Sequence, residues 1–224
     1  MPGDARDPDA VKLFARPRQR ADGGDLTGPG RRWRAMLHYH LVDHAILRHH
    51  WTNMDEVAPG VWRSNQPTHA RFRALKAMGI RTVINLRGAG EASFHLFERE
   101  SCDVLGLRLV SVALRSRRAP ERGEVLKLLE AFRTAETPFL IHCKSGADRS
   151  GFAAALYLLT QGATVAEAKR HLSWRYLHMK RGRAGVLGHV LDLYDARLRE
   201  GPFGIEDWVR TEYDAEAAQA GFRA

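Results

Sequence analysis

The stretch Phe139-Leu140-Ile141-His142-Cys143-Lys144-Ser145-Gly146-Ala147-Asp148-Arg149-Ser150-Gly151 brings a thiol, a guanidinium and a tight polar turn together. The apolar run before Cys143 reads as a buried strand, and the apolar pattern from Phe152 to Thr160 reads as a helix. A loop between a strand and a helix N-terminus turns backbone N–H groups inward, and the helix dipole adds positive potential. Lys144, Ser145, Gly146 and Ala147 would then line an anion site. A thiol at its entrance is stabilised as thiolate, the attacking form. Arg149 at its exit can hold two phosphoryl oxygens through its planar fork. The chemistry expected is displacement at phosphorus through a phosphocysteine intermediate, which needs neither metal nor cofactor.

His142-Cys143 and Arg149-Ser150-Gly151 match the His-Cys-x5-Arg-[Ser/Thr]-Gly signature, so the chain resembles the cysteine-dependent protein tyrosine and dual-specificity phosphatases. The run Gly60-Val61-Trp62-Arg63-Ser64-x-Gln66-Pro67, a helix, then Thr82-Val83-Ile84-Asn85-Leu86-Arg87 resembles the start of atypical, bacterial-type dual-specificity phosphatases. The resemblance implies Cys143 as nucleophile, Arg149 as phosphate binder and Ser150 as the hydroxyl that helps the thiolate leave. It covers about residues 57–198. Cys143 alone would read as a buried structural thiol; its spacing to Arg149 reverses that. His142 should point away from Cys143 along the strand and help fix the loop. Lysine at position 144 is similar to lipid-directed members, and is otherwise a solvated charge.

Turnover needs a proton donor for the leaving oxygen. Other members carry an Asp on a mobile loop, which resemblance places near 110–120. Here Val110 to Pro120 holds no Asp or Glu, and Glu121 is the first carboxylate. Asp148 precedes Arg149 as in the Asp-Arg pair of the myotubularin lipid phosphatases, where that Asp is assigned acid duty. Asp148 is therefore one candidate acid, with a purely structural carboxylate as the equal alternative. Glu121 and then Glu91 follow.

These groups need a scaffold. Strand-like runs alternate with helical patterns: a strand at 60–64, a helix from Thr68 to Met78 stopped by Gly79, and a buried strand at Arg81–Arg87. A helix from Glu91 to Leu105, a strand at Leu107–Leu114 and a helix from Glu121 to Glu136 follow. The pattern predicts an α/β fold, with a central mixed, mostly parallel sheet flanked by helices, phosphotyrosine-phosphatase-like. Ligands in such sheets bind beyond the C-terminal strand ends, where Cys143 falls. After the loop helix, Thr164 caps a helix at 166–172, residues 173–185 are basic and irregular, and Val186–Leu198 is a further helix.

The 224 residues suffice for one core with extensions. Residues 1–30 read as a disordered tail, 31–56 as an amphipathic helix packed on the domain, 57–200 as the catalytic domain and 201–224 as a C-terminal extension without functional signal. The stripe Trp33, Leu37, Leu41 would face the core; its basic partners Arg31, Arg32 and Arg34 would also suit peripheral contact with an acidic membrane. His40 and His44 have metal spacing, but no third ligand is evident. No apolar signal core or spanning segment occurs. Two cysteines, Cys102 and Cys143, make no disulfide framework and fit a reducing cytoplasm. Cys102 reads as a packing residue, or as a partner of Cys143 on oxidation.

The net charge of +9 suits anionic partners. A phosphorylated protein is the default substrate by resemblance, and a phosphoinositide or inositol phosphate is the alternative, drawn by Lys144, Asp148 and the basic loop Arg115, Arg117, Arg118. A catalytically weak phosphate-binding module and a rhodanese-type sulfurtransferase are further readings; the spacing to Arg149 fits the latter less well. No aromatic-basic motif marks specific nucleic-acid binding. The sequence sets no oligomeric state.

Overall fold

The computed structural model describes residues 30–38 and 51–223. Five strands form one mixed sheet: β1 (Asp55–Ala58), β2 (Val61–Asn65), β3 (Thr82–Asn85), β4 (Arg108–Ser111) and β5 (Phe139–Cys143), in the order β1-β2-β5-β3-β4. Only the β1–β2 pair is antiparallel. The expected α/β architecture is present, with β5 at the centre. The antiparallel edge strand β1 was not anticipated, because Asp55-Glu56-Val57-Ala58 carries no apolar alternation.

The period-2 geometry of β5 divides the molecule. Leu140 turns to one face, where it meets Phe72 and Leu75 of α2 (His69–Ala77) and Cys102 of α3 (Ser93–Leu105). Phe139, Ile141 and Cys143 turn to the other. There they meet α4 (Arg122–Thr134), α5 (Asp148–Thr160), α6 (Val165–Ala168) and α7 (Val186–Leu198). Cys102 and Cys143 therefore lie on opposite sides of the sheet. Both are free thiols, and burial pushes Cys102 up to about 12, so it is a packing residue and not a partner for Cys143.

Local chemistry sets the element ends as expected. Thr68 caps α2 by accepting the Arg71 N–H at 3.4 Å. Gly106 ends α3 in the left-handed region at φ 60°. Thr164 and Glu167 form a reciprocal box at the start of α6. That helix is shorter than the expected 166–172; a 3-10 turn, Lys169–His171, follows it.

Two terminal readings change. In α1 (Arg31–Leu37) the buried residue is Ala35; Trp33 is 66% exposed and Leu37 39%, so the stripe named from sequence does not face the core here. The rest of that stripe, His40 and His44, and the tail of residues 1–29 lie outside the described residues. At the other end, α8 (Ile205–Thr211) and α9 (Ala215–Gly221) bury Trp208, Val209, Tyr213 and Ala218 in the larger core. No helix among the described residues is long and apolar enough to cross a membrane.

Candidate active site

Cys143 ends β5, and Asp148 opens α5 after four loop residues, so the anion-site order of strand, loop and helix is present. The Cys143 side chain is 1% exposed. The Gly146 N–H donates to its sulfur at 3.2 Å. Ser150 beside the sulfur adds hydrogen-bonding capacity to this hold, and its hydroxyl donates to the Ser64 carbonyl at 3.2 Å. Burial alone would raise the thiol, but the Arg149 charge and these bonds outweigh it and hold Cys143 below the ordinary thiol value. Arg149 Nη1 donates to the carbonyls of Leu86 at 3.3 Å and Leu114 at 3.5 Å, which places the guanidinium across the ends of β3 and β4.

The loop is held from beneath by a residue that sequence reasoning quoted without assigning it a role. Arg63 on β2 is fully buried. Its Nη2 donates to the Gly146 carbonyl and, at 3.3 Å, to that of Ala147; its Nη1 donates to His171 O at 2.7 Å. Its charge lies 3.8 Å from the Tyr176 ring centroid. Two loop carbonyls are thereby turned toward Arg63. Gly146 itself has φ 75°, and a Cβ there would stand 2.6 Å from Asn65 N, so only glycine fits.

His142 turns away from Cys143, as its strand position requires. Its Nε2 pairs with Glu98 of α3, and its Nδ1 lies 3.4 Å from Cys143 O. Burial would push the Glu98 carboxyl up, yet the His142 charge and hydrogen bond, with His95 beside it, hold it below the usual carboxylate value. Asn53, at φ 49°, donates to both Ser145 O (3.2 Å) and Tyr176 O (2.9 Å). The Lys144 carbonyl accepts from Gln66 N at 3.4 Å.

The three candidate acids separate. Asp148 Oδ1 lies 2.8 Å from Nδ1 of His178, a buried side chain in the basic stretch 173–185. Glu121 is exposed and caps α4 through a reciprocal box with Glu124. Glu91 is exposed on the loop before α3. Among the described residues neither glutamate bonds to residues 143–150. The loop carrying exposed Arg115, Arg117 and Arg118 follows Leu114 directly. It is clasped by the C-terminal segment: Ala119 N donates to Gln219 Oε1 (2.9 Å), the Tyr213 hydroxyl to Pro120 O (2.7 Å), and Arg122 to Tyr213 O. That segment was read from sequence as carrying no signal, and no local pattern marks a clasp. No group of three or more His, Cys, Asp or Glu side chains among the described residues is placed to hold a metal.

Comparison with known proteins agrees with this geometry. Residues 55–187 match the family model "Swiss Army Knife protein, DSP-PTPase phosphatase domain". No curated protein matches the chain. Among solved structures, TpbA of P. aeruginosa is similar at 21% identity, covering 75% of this chain and 89% of its own, with a TM-score of 0.51. The core catalytic domain of the PP-IP phosphatase Siw14 from S. cerevisiae is similar at 18% identity, 66% and 91% coverage and a TM-score of 0.52. A DUF442 protein of Shewanella putrefaciens CN-32 is similar at 22% identity, 68% and 95% coverage and a TM-score of 0.53.

Proposed function

Because this chain belongs to the Swiss Army Knife DSP-PTPase phosphatase domain family, a family of cysteine-dependent phosphatases, we propose that it hydrolyses phosphomonoesters of phosphotyrosine-bearing proteins through a phosphocysteine at Cys143. The observation that carries the reading is the fully buried sulfur that nonetheless sits below its ordinary thiol value, faced by the Gly146 N–H, Ser150 and Arg149. In the first step a sulfur lone pair attacks phosphorus and the ester P–O bond breaks. Arg149 and the N–H groups of residues 144–149 stabilise the equatorial oxygens. In the second step water attacks phosphorus, the S–P bond breaks, and the Ser150 hydroxyl stabilises the departing thiolate. We place the enzyme in the cytoplasm, where reducing conditions keep a working thiol.

The acid we assign is Asp148. In this reading Asp148, with the His178 ring 2.8 Å from its Oδ1, passes a proton to the leaving oxygen and takes one back from the attacking water. Asp148→Asn should slow alkyl phosphates, which leave poorly, far more than aryl phosphates, and should remove the limb of the pH profile that reports the acid. Equal slowing of both with that limb intact would leave Asp148 as a structural carboxylate.

A second reading is a phosphoinositide or inositol phosphate substrate. It is favoured by the exposed Arg115, Arg117 and Arg118 beside Arg149, by Lys144, and by an acid on the loop itself. The fold does not choose: TpbA has been seen in complex with pTyr, and Siw14 is a PP-IP phosphatase. Phosphate release from phosphotyrosine, phosphoserine and phosphothreonine peptides, phosphoinositides and inositol polyphosphates, with Cys143→Ser as blank, decides between them. Release from none of these substrates would refute the enzyme and leave a phosphate-binding module, to which Cys143→Ser would still bind substrate.

A further inference from the structure

The stretch between α6 and α7 is built unlike an ordinary solvated loop. Trp174 is 71% exposed, Met179 59% and Leu177 47%. Between them the chain is pinned. Leu177 N donates to Trp174 O at 2.8 Å and His178 N to Ser173 O at 3.1 Å. The Tyr176 hydroxyl donates to Asp55, Tyr176 O accepts from Asn53, and the His178 ring holds Asp148. Leu177 takes φ 59°, a left-handed conformation that costs a leucine about 1–2 kcal/mol. The fixed neighbours on both sides hold it there, with its side chain in solvent.

The charge pattern has one sign. From Lys169 to Leu191 the sequence contains no Asp or Glu, but it contains Lys169, Arg170, Arg175, Lys180, Arg181 and Arg183. Arg175 is paired to Asp55 at 3.5 Å; Lys180, Arg181 and Arg183 are exposed. The other rim, from Val104 to Pro120, is equally free of carboxylates and carries Arg115, Arg117 and Arg118. Both rims adjoin the catalytic loop, one through Leu114 O to Arg149, the other through Asn53 to Ser145 and through His178 to Asp148.

We propose that residues 173–183 are an interfacial docking surface for an anionic lipid bilayer, seating Trp174, Leu177 and Met179 among the headgroups and presenting the Cys143 loop to a phosphate carried at the membrane. Separate apolar pegs flanked by cations match a headgroup layer, where aromatic and aliphatic side chains enter and cations meet lipid phosphate. A peptide partner would need a groove to order it, whereas Trp174, Leu177 and Met179 stand exposed as separate side chains along one stretch. The consequence for substrate class rests on the phosphatase reading; the docking does not, since it needs no catalysis.

The test is sedimentation of the full chain with large vesicles of phosphatidylcholine, alone and mixed with phosphatidylserine, using Cys143→Ser so that no turnover intervenes. The chain should partition to the mixed vesicles and not to phosphatidylcholine alone. Trp174→Ser with Met179→Ser, and separately Lys180→Ser with Arg181→Ser, should each lower the partition coefficient about tenfold. The same pairs in the active enzyme should leave kcat/KM on soluble p-nitrophenyl phosphate unchanged. Absence of partitioning, or partitioning that both pairs leave intact, overturns the proposal. So does a loss of kcat/KM confined to soluble phosphotyrosine peptides, which would give the surface to a peptide. Hydrolysis of p-nitrophenyl phosphate by the unsubstituted chain reports the phosphatase reading independently.

Discussion

Replacing Arg63 by methionine keeps an apolar stem of similar length and removes the guanidinium that holds the loop between Cys143 and Arg149. Three charge-assisted bonds go, to Gly146 O, Ala147 O and His171 O. At about 1.5 kcal/mol each they amount to roughly 4–5 kcal/mol. The contact with the Tyr176 ring adds about 0.5–1 kcal/mol. Against this, burial lowers Arg63 from 12.5 to about 10, which corresponds to about 3 kcal/mol spent in hiding the charge, and methionine is spared that cost. The net loss of stability is therefore modest, about 2 kcal/mol. The loss of function should be larger, because the Gly146 carbonyl held by Arg63 belongs to the residue whose N–H faces the Cys143 sulfur. A fall of at least about tenfold in kcat/KM is expected from a misplaced loop. Arg63→Lys should lie between the two, since an ammonium can serve fewer of the three carbonyls. Urea denaturation with p-nitrophenyl phosphate kinetics on the same samples measures both. A variant that loses 4 kcal/mol or more (about twice the loss expected here) yet turns over normally while folded would refute the reasoning and make Arg63 a structural pin alone.

Iodoacetamide alkylation of Cys143 should follow a curve lying below that of an ordinary thiol in pH, and Arg149→Met or Ser150→Ala should move it upward. The stabilisation tied to this thiolate is present above the ordinary thiol value and is lost as pH falls through the depressed one. Glu98→Gln should cost about 3 kcal/mol at neutral pH, because it leaves His142 buried without its carboxylate. Since the Glu98 carboxyl is held below its usual value, that contribution should persist down to the ordinary carboxylate range and disappear as pH falls through the depressed value, which denaturation at several pH values reads directly. Gly146→Ala should reduce kcat/KM by about a hundredfold or more while the chain still folds, since the Cβ meets Asn65 and Ser64 backbone on the neighbouring strand and the loop must shift; near-normal turnover would contradict the packing described.

What sequence alone reveals here is local. The Cys143–Arg149 spacing, the Thr68 and Thr164 caps, the Gly106 stop and the apolar run of β5 all act within a few residues, so each can be read in place. The supporting residues act across the chain. Arg63 looks like a basic interruption of a strand until β2 is paired with β5, whereupon its partners prove to lie 83 to 108 residues away. Glu98 looks like a surface charge on α3 until His142 is seen to turn to that face. His178 sits in an irregular basic stretch with no periodicity to assign it, and only the fold brings it to Asp148. Trp33 and Leu37 mislead in the opposite sense: their spacing suits a buried stripe, yet in α1 both stand exposed and Ala35 is the residue covered.

The clasp on the arginine loop has a consequence for how the protein is made. Gln219 and Tyr213 bind Ala119, Pro120 and Arg122 across separations of 91 to 100 residues. A ribosome adding roughly 5–20 residues per second takes about 5–20 s to travel that distance. From the addition of Arg149 until Tyr213 is made, the nascent chain contains Cys143 and Arg149 but not the bracket for one rim of the proposed site. That rim is thus completed only by residues made well after the loop that carries Cys143 and Arg149.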